Sequence, residues 1–202
     1  MTPSAISVAG VGVTRRAPDL MRVELSVESV RERAADAMAA VGALADHVVA
    51  VARSAGIAAE DIRSSAVSLA PDRVEAPDGL RVTGYRASES FQLTVRRLHH
   101  AGPTLEMVAN ACPSQVRVDA VGFGVADQDD LRRAAREAAY TDAWFRADHY
   151  ARLSGRTLGD LRTLEEQPTV SGAPASYPIA VLAADLPRVE EQVTVRAVFA
   201  TC

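Results

Sequence analysis

The sequence contains no lysine: all 22 of its basic residues are arginine. They are interleaved with 26 acidic residues, the formal net charge is −4, and no basic stripe emerges. Nucleic-acid binding needs clustered cations that displace counterions from phosphates, so the pattern argues against it and describes a solvated surface of mixed charge. Aromatic residues make up only 4%, so Val, Ala and Leu must fill most of a core. The two cysteines, Cys112 and Cys202, sit in neither a Cys-x-x-Cys nor a zinc spacing. They form no disulfide framework, and a single bridge between them stays open. No uninterrupted apolar run approaches the ~18 residues of a membrane helix. The first residues, Met1 to Val8, carry neither a basic n-region nor a long apolar h-region. The expectation from these absences is a cytoplasmic protein with no nucleic-acid and no membrane partner.

Catalytic patterns are missing as well. Gly10-Val11-Gly12 starts like a dinucleotide loop, but Arg15 stands where a third glycine is needed and a strand follows where a helix should. Gly122-Phe123-Gly124 has Asp127 in the third place, where a carboxylate would repel a phosphate and better serves as a helix cap. The four histidines form no His-x-x-x-His or Glu-x-x-His pair. His99 and His100 are neighbours that would project about 100° apart on a helix, while His47 and His149 lie in separate segments. No Gly-x-Ser-x-Gly elbow is present. Ser88-Glu89-Ser90 lies in a strand pattern, Cys112 has no neighbouring base, and the acidic pairs Asp129-Asp130 and Glu165-Glu166 read as solvated charges rather than an acid/base pair. The expectation is no metal, no cofactor and no catalytic residue.

What is present is an ordinary globular balance over 202 residues, 48% hydrophobic and 24% charged, enough for one sizeable core. Ile6 to Val13 reads as a strand in which two glycines mark a bulge or a close backbone neighbour. After a turn at Ala17-Pro18-Asp19, Met21, Val23, Leu25 and Val27 alternate with polar residues, the plainest period-two strand in the chain. The two suggest an antiparallel hairpin. Ser29 and Glu32 fit a capping box for a long helix whose apolar face carries Ala34, Met38, Val41, Ala45, Val48 and Ala52, stopped by Gly56. Asp61 to Ala70 and Leu80 to Arg96 read as a second hairpin around a polar loop from Pro71 to Gly79. A short helix spans Arg97 to Ala111 and a strand Val116 to Val125. A second long helix runs from Asp127 to Leu153, with Leu131, Ala134, Ala138, Phe145 and Ala147 on its buried side. Leu158 to Glu166 is a strand, residues 167–186 with three prolines a long loop, and Val189 to Phe199 a last strand. The order β-β-α-β-β-α-β-α-β-β predicts an α+β fold: a largely antiparallel sheet with two long helices and one short helix packed on it, in a single domain over 1–202.

Val8-Ala9-Gly10-Val11-Gly12 with Pro18-Asp19, Gly56-Ile57 with Asp61-Ile62, Gly84-Tyr85-Arg86-Ala87-Ser88, Phe123-Gly124 with Asp127, and Asp142-Ala143, Ala147, Gly155 and Leu158-Gly159 occur in an order that resembles the SIMPL-domain family. That family includes bacterial periplasmic immunogenic proteins and proteins linked to oxidative-stress defence. The resemblance implies an α+β fold and, in some members, ring-like or larger homo-oligomers. It implies no agreed activity and no site that can be carried over residue by residue. Cys112-Pro113 and Trp144 look individual to this chain.

Tyr85 and Arg86 are the best candidates for a role beyond packing, since a tyrosine on a strand beside a glycine can line a groove. The functional expectation is a non-enzymatic, self-assembling scaffold or protein-interaction module, with stress as a setting. The alternative is a small-ligand-binding protein that uses a groove between sheet and helices, with the low-charge segment from Thr169 to Leu182 as a lid.

Overall fold

The computed structural model describes residues 4–77, 79–112, 114–168 and 188–202. The first two strands are β1 (Ala5–Arg16) and β2 (Leu20–Arg31), and they do not pair with each other. β1 runs antiparallel to the last strand, β7 (Val189–Thr201), with Ala5 opposite Ala200 and Arg16 opposite Val189. β2 lies between β4 (Gly79–Val95) and β5 (Val116–Gly124). The expected hairpin fails because alternation fixes which face of a strand is buried and leaves its partner undetermined. The strands therefore fall into two antiparallel sheets: β1-β7-β6, and β3-β4-β2-β5. Among the described residues, the contacts divide the chain correspondingly into two units, one built on residues 19–124 and one on residues 4–18, 125–168 and 188–202.

In the unit of residues 19–124, β2 is a central strand and Met21, Leu25 and Val27 are fully buried. Opposite them Phe91, Leu93 and Val95 of β4 and Val121 and Phe123 of β5 complete one apolar face. α1 (Ala34–Ser54) covers it with Ala37, Val41, Ala45, Val48 and Ala52, and α2 (Ala101–Ala109) adds Ala101, Leu105 and Val108. Each large side chain so buried contributes about 1.5–3 kcal/mol. By length and composition α1 would also suit a membrane span, but here its apolar stripe is part of this core. The expected capping box is absent: Ser29 is buried within β2, and the N-cap residue Arg33 makes no side-chain cap. Met38 is exposed and Ala37 takes its place in the core. Gly56, at φ +86°, ends α1 as expected: its N–H bonds to the Arg53 carbonyl and that of Ile57 to the Ala52 carbonyl. In α2, Pro103 stands in the first turn, where its missing N–H costs nothing.

The polar loop expected from Pro71 to Gly79 is strand over 71–76 and again at Gly79. β3 (Ile62–Ala76) and β4 continue as a paired ribbon to Ala76 opposite Gly79. Pro71 is accommodated because β3 is an edge strand, where a missing N–H breaks no ladder on the open side.

In the other unit α3 (Gln128–Leu153) packs against β1 and β7, and β6 (Leu158–Gln167) forms an exposed edge. Asp127 caps α3, its Oδ1 accepting from the Asp130 N–H at 2.8 Å. Gly155, at φ +70°, ends the helix with the same pair of bonds seen at α1. The buried side of α3 is almost pure alanine: Leu131, Ala135, Ala139, Ala143, Ala147 and Ala151. Phe145, expected inside, is 61% exposed. Gly10 and Gly12 explain this. A Cβ on Gly10 would lie 2.2 Å from the Ala139 carbonyl oxygen, and one on Gly12 2.0 Å from that of Ala135. The helix backbone rests on the strand backbone, and only methyl groups fit between them. The long loop expected over 167–186 is strand at Gln167; residues 169–187, including the expected lid, lie outside the described residues.

Candidate functional site

Tyr85 and Arg86 stand where β2 ends beside β4: Arg31 is the last β2 partner, opposite Tyr85. Just before them, Gly84 lets the chains close up, since a Cβ there would meet the Arg31 carbonyl oxygen at 2.7 Å. Successive strand residues point to opposite faces, so the two candidates separate. Tyr85 is half-buried against the core on the helix side. Arg86, on the other face, joins three strands: one guanidinium nitrogen binds Glu28 Oε1 of β2, and the other binds Asp72 Oδ1 of β3 at 2.8 Å. The hydrogen bond that Arg86 donates to Asp72, followed by the charge of Glu28, raises the Arg86 pKa, so its charge is fixed at any accessible pH. Its row continues the polar face, with Ser68 and Ser88 sharing a hydroxyl hydrogen bond at 2.8 Å. Arg86 is thus a clasp at the root of the ribbon.

Beyond this clasp, among the described residues, β3 and β4 pair only with each other. The ribbon exposes Val74 (48%), Val82 (47%) and Leu80 (72%). Leu80 and Val82 share one face of the ribbon with their partners Glu75 and Arg73, and Val74 lies on the other face with Arg81. Reading 71–79 as loop concealed Val74; the signal was the alternation of Arg73, Val74 and Glu75.

Concavities in the same unit include two beside α1. One, of about 180 Å³, is lined by Gly56, Ile57, Arg97, His100 and Thr104 around the pair Asp61–Arg96. Asp61 is only 7% exposed and accepts two bonds of 2.7 Å from the Arg96 guanidinium, an arrangement separation by 35 residues hides in the sequence. The other, an open groove of about 490 Å³, runs between α1 and the β3–β4 pair, with Ala45, Val49, Ile62 and Phe91 along it and Asp46, Arg53 and Glu89 beside them.

The remaining sequence candidates are scattered. His99 and His100 contact each other edge-on at 4.2 Å between ring centres, while His47 and His149 lie on α1 and α3. Cys112 is half-buried, Cys202 is exposed, and both are free thiols. Among the described residues, no three His, Cys, Asp or Glu side chains converge as a metal site. On α3 four aromatic residues are exposed, Tyr140, Trp144, Phe145 and Tyr150: Phe145 lies opposite the alanine stripe and the other three flank it. The alanines at every fourth position were the signal for the buried face, and with it for this outward one.

The 26 kDa periplasmic immunogenic protein of Brucella melitensis is 28% identical to this chain over 193 residues, covering 88% of the chain and 71% of the relative. The uncharacterized protein YggE of Escherichia coli K12 is 26% identical over 190 residues, covering 94% and 75%. A crystal structure of an amidase of the hydantoinase/carbamoylase family from Burkholderia phymatum aligns at 15% identity and a TM-score of 0.29, over 69% of this chain and 37% of its own; a likeness that slight carries no argument. The Brucella relatives, both named periplasmic, overturn the expectation of a cytoplasmic location. That expectation rested on a missing leader, and leaders are cleaved from exported proteins, so the absence of one does not locate a chain. The SIMPL model, described as a protein of unknown function (DUF541), matches residues 6–199. The chain belongs to the SIMPL family.

Proposed function

We propose that this chain is a non-enzymatic interaction module that assembles with copies of itself through the β3–β4 ribbon. The observation that carries this reading is the pair Leu80 and Val82, exposed on one face of a ribbon that extends past the last β2 partner, with Val74 exposed on its other face. Paired strands with open edges and apolar side chains are templates for association. The name of the Brucella relatives supports a periplasmic setting, and the family resemblance supports a role under stress.

Light scattering across a range of concentrations tests the reading. The native chain should show a mass above that of one chain, and the double substitution Leu80→Asp, Val82→Asp should reduce it while leaving the far-ultraviolet circular dichroism unchanged. A native chain that stays monomeric at every concentration, or a variant that assembles as before, refutes it.

The groove between α1 and the β3–β4 pair favours a second reading, binding of a small apolar ligand. Its size falls in the ordinary range for such sites. A ligand that prefers the native state must raise its melting temperature. Stabilisation by an apolar metabolite that is lost in Phe91→Asp but kept in the ribbon variant would support this reading; no stabilisation across a broad set would remove it.

A further inference from the structure

We infer that the cavity of about 180 Å³ beside the Asp61–Arg96 pair is a binding site for a small carboxylate, held by Arg97, His100 and Thr104. The site is separate from the ribbon and from the groove along α1. It stands whether or not the chain assembles with itself.

The spacing of these residues brings them together. β4 ends at Val95, and a 3-10 turn, Leu98–His100, leads into α2. The His100 N–H bonds to the Arg97 carbonyl at 2.9 Å, and positions three apart eclipse in such a turn. Thr104 follows His100 by four residues, which sets both on one helix face. All three line the cavity.

Thr104 is the residue that packing does not explain. α2 turns Ala101, Leu105 and Val108 into the core, and Thr104 stands in the same buried stripe at 5% exposure. Among the described residues its hydroxyl has no hydrogen-bond partner, yet no fully buried side-chain oxygen or nitrogen is left orphaned. The oxygen therefore opens on the cavity and not on packed atoms. Valine has nearly the same shape and no polar group to satisfy, so packing alone would favour it there.

The charges select the sign of the ligand. Nε and Nη2 of Arg96 each donate to an Asp61 oxygen at 2.7 Å, so that pair is neutral and the Asp61 carboxylate is engaged. A metal cation would have to break the pair to reach it. The Arg97 guanidinium is exposed and, among the described residues, has no ion-pair partner. Its planar fork of N–H donors matches a carboxylate through two parallel bonds. The Thr104 hydroxyl and a ring N–H of His100 add donors. Ile57 and Val95 supply an apolar wall. At ~30 Å³ of liquid volume per water, the cavity holds on the order of six heavy atoms. A carboxylate on a short hydrocarbon chain meets these demands.

Butyrate is the probe, with butyramide as its uncharged counterpart of the same shape and inorganic phosphate as a compact dianion. Each is titrated into the full chain by calorimetry at constant ionic strength. Butyrate should bind and raise the melting temperature. Butyramide should bind about tenfold more weakly or worse, as loss of a charge-assisted bond predicts. Arg97→Gln should weaken butyrate binding by about tenfold or more, and Thr104→Val by about two- to tenfold, with circular dichroism unchanged. Arg53→Gln, which removes the cation of the α1 groove, should leave it unchanged. If Arg53→Gln abolishes binding and Arg97→Gln does not, butyrate sits in that groove, which refutes this site and leaves the groove reading standing. Equal binding of butyramide, or binding of phosphate without butyrate, refutes the carboxylate. Heats of dilution alone for every probe leave the cavity to solvent and overturn the inference.

Discussion

At the scale of the residue, the most consequential positions are the ones with least side chain. Gly10 and Gly12 lie against the α3 backbone, so Gly12→Ala should lower stability by about 1–3 kcal/mol or more, measured by urea denaturation. The strain has no flexible neighbour to yield, since the nearest atom is a carbonyl oxygen of the helix. Beside them, Asp142 Oδ2 accepts the Val11 N–H at 2.9 Å, tying the helix to an edge strand. Burial pushes the Asp142 carboxyl up, but the Val11 N–H and the Arg146 guanidinium outweigh it and hold it below the usual aspartate value. The hydrogen bond and charge of Arg16 lower Asp130 in the same direction, as Arg136 lowers Glu166. Each carboxyl therefore binds its proton less readily when folded. Their stabilisation is full above the unfolded values near pH 4 and is lost as pH falls through the lower folded values. Asp142→Asn should be less stable than the native chain at pH 7, and the gap in denaturation midpoint should close between about pH 4 and pH 2; a gap independent of pH would contradict this. For the pair Asp61–Arg96 the order of effects is the test. Arg96→Ala leaves a buried carboxylate unpartnered, whereas Asp61→Ala leaves only a solvated arginine. The first should therefore lower the melting temperature more.

At the scale of the element, the strands and helices were largely legible because each carries its own periodicity. The buried stripe of α1 from Val41 to Ala52 follows from spacing alone, and glycine at positive φ ended both long helices as the sequence suggested. Errors arose where another element set the answer. Ser29 and Glu32 make a capping box only if the helix starts there, and β2 runs on through Ser29 because β4 offers it a partner. Phe145 reads as core until the glycines of β1 bring the backbones together. Proline and aspartate at 71–72 read as loop, yet an edge strand tolerates both. Of the candidate site, Tyr85 and Arg86 were legible as positions, but their separation onto opposite faces and the Glu28 and Asp72 partners of Arg86 were not. The element that couples these findings is β4, whose Leu93 is 1% exposed between α1 and the sheet. Leu93→Ala should cost about 2–5 kcal/mol, and a loss below 1 kcal/mol by denaturant titration would show that this core does not pack as described.

At the scale of the molecule, the two units differ in how the chain supplies them. One is assembled from residues 19–124, a continuous stretch carrying β2 to β5, α1 and α2 with their shared core. The other needs Ala5 opposite Ala200 before its sheet exists, a pairing that closes nearly the whole chain and is slow to form for that reason. A fragment of residues 19–124 should accordingly fold alone with a cooperative thermal transition, followed by circular dichroism. An unfolded fragment would instead support the reading of the chain as one cooperative domain. The sequence by itself determined the order of elements, their antiparallel character and the family, because these depend on local periodicity and on turn residues that act within a few positions. Only the tertiary structure decided which strands pair, that they form two sheets, and that the scarce aromatics of α3 face outward. Those outcomes depend on backbones far apart in the chain approaching within a few ångströms, and no local pattern records such an approach.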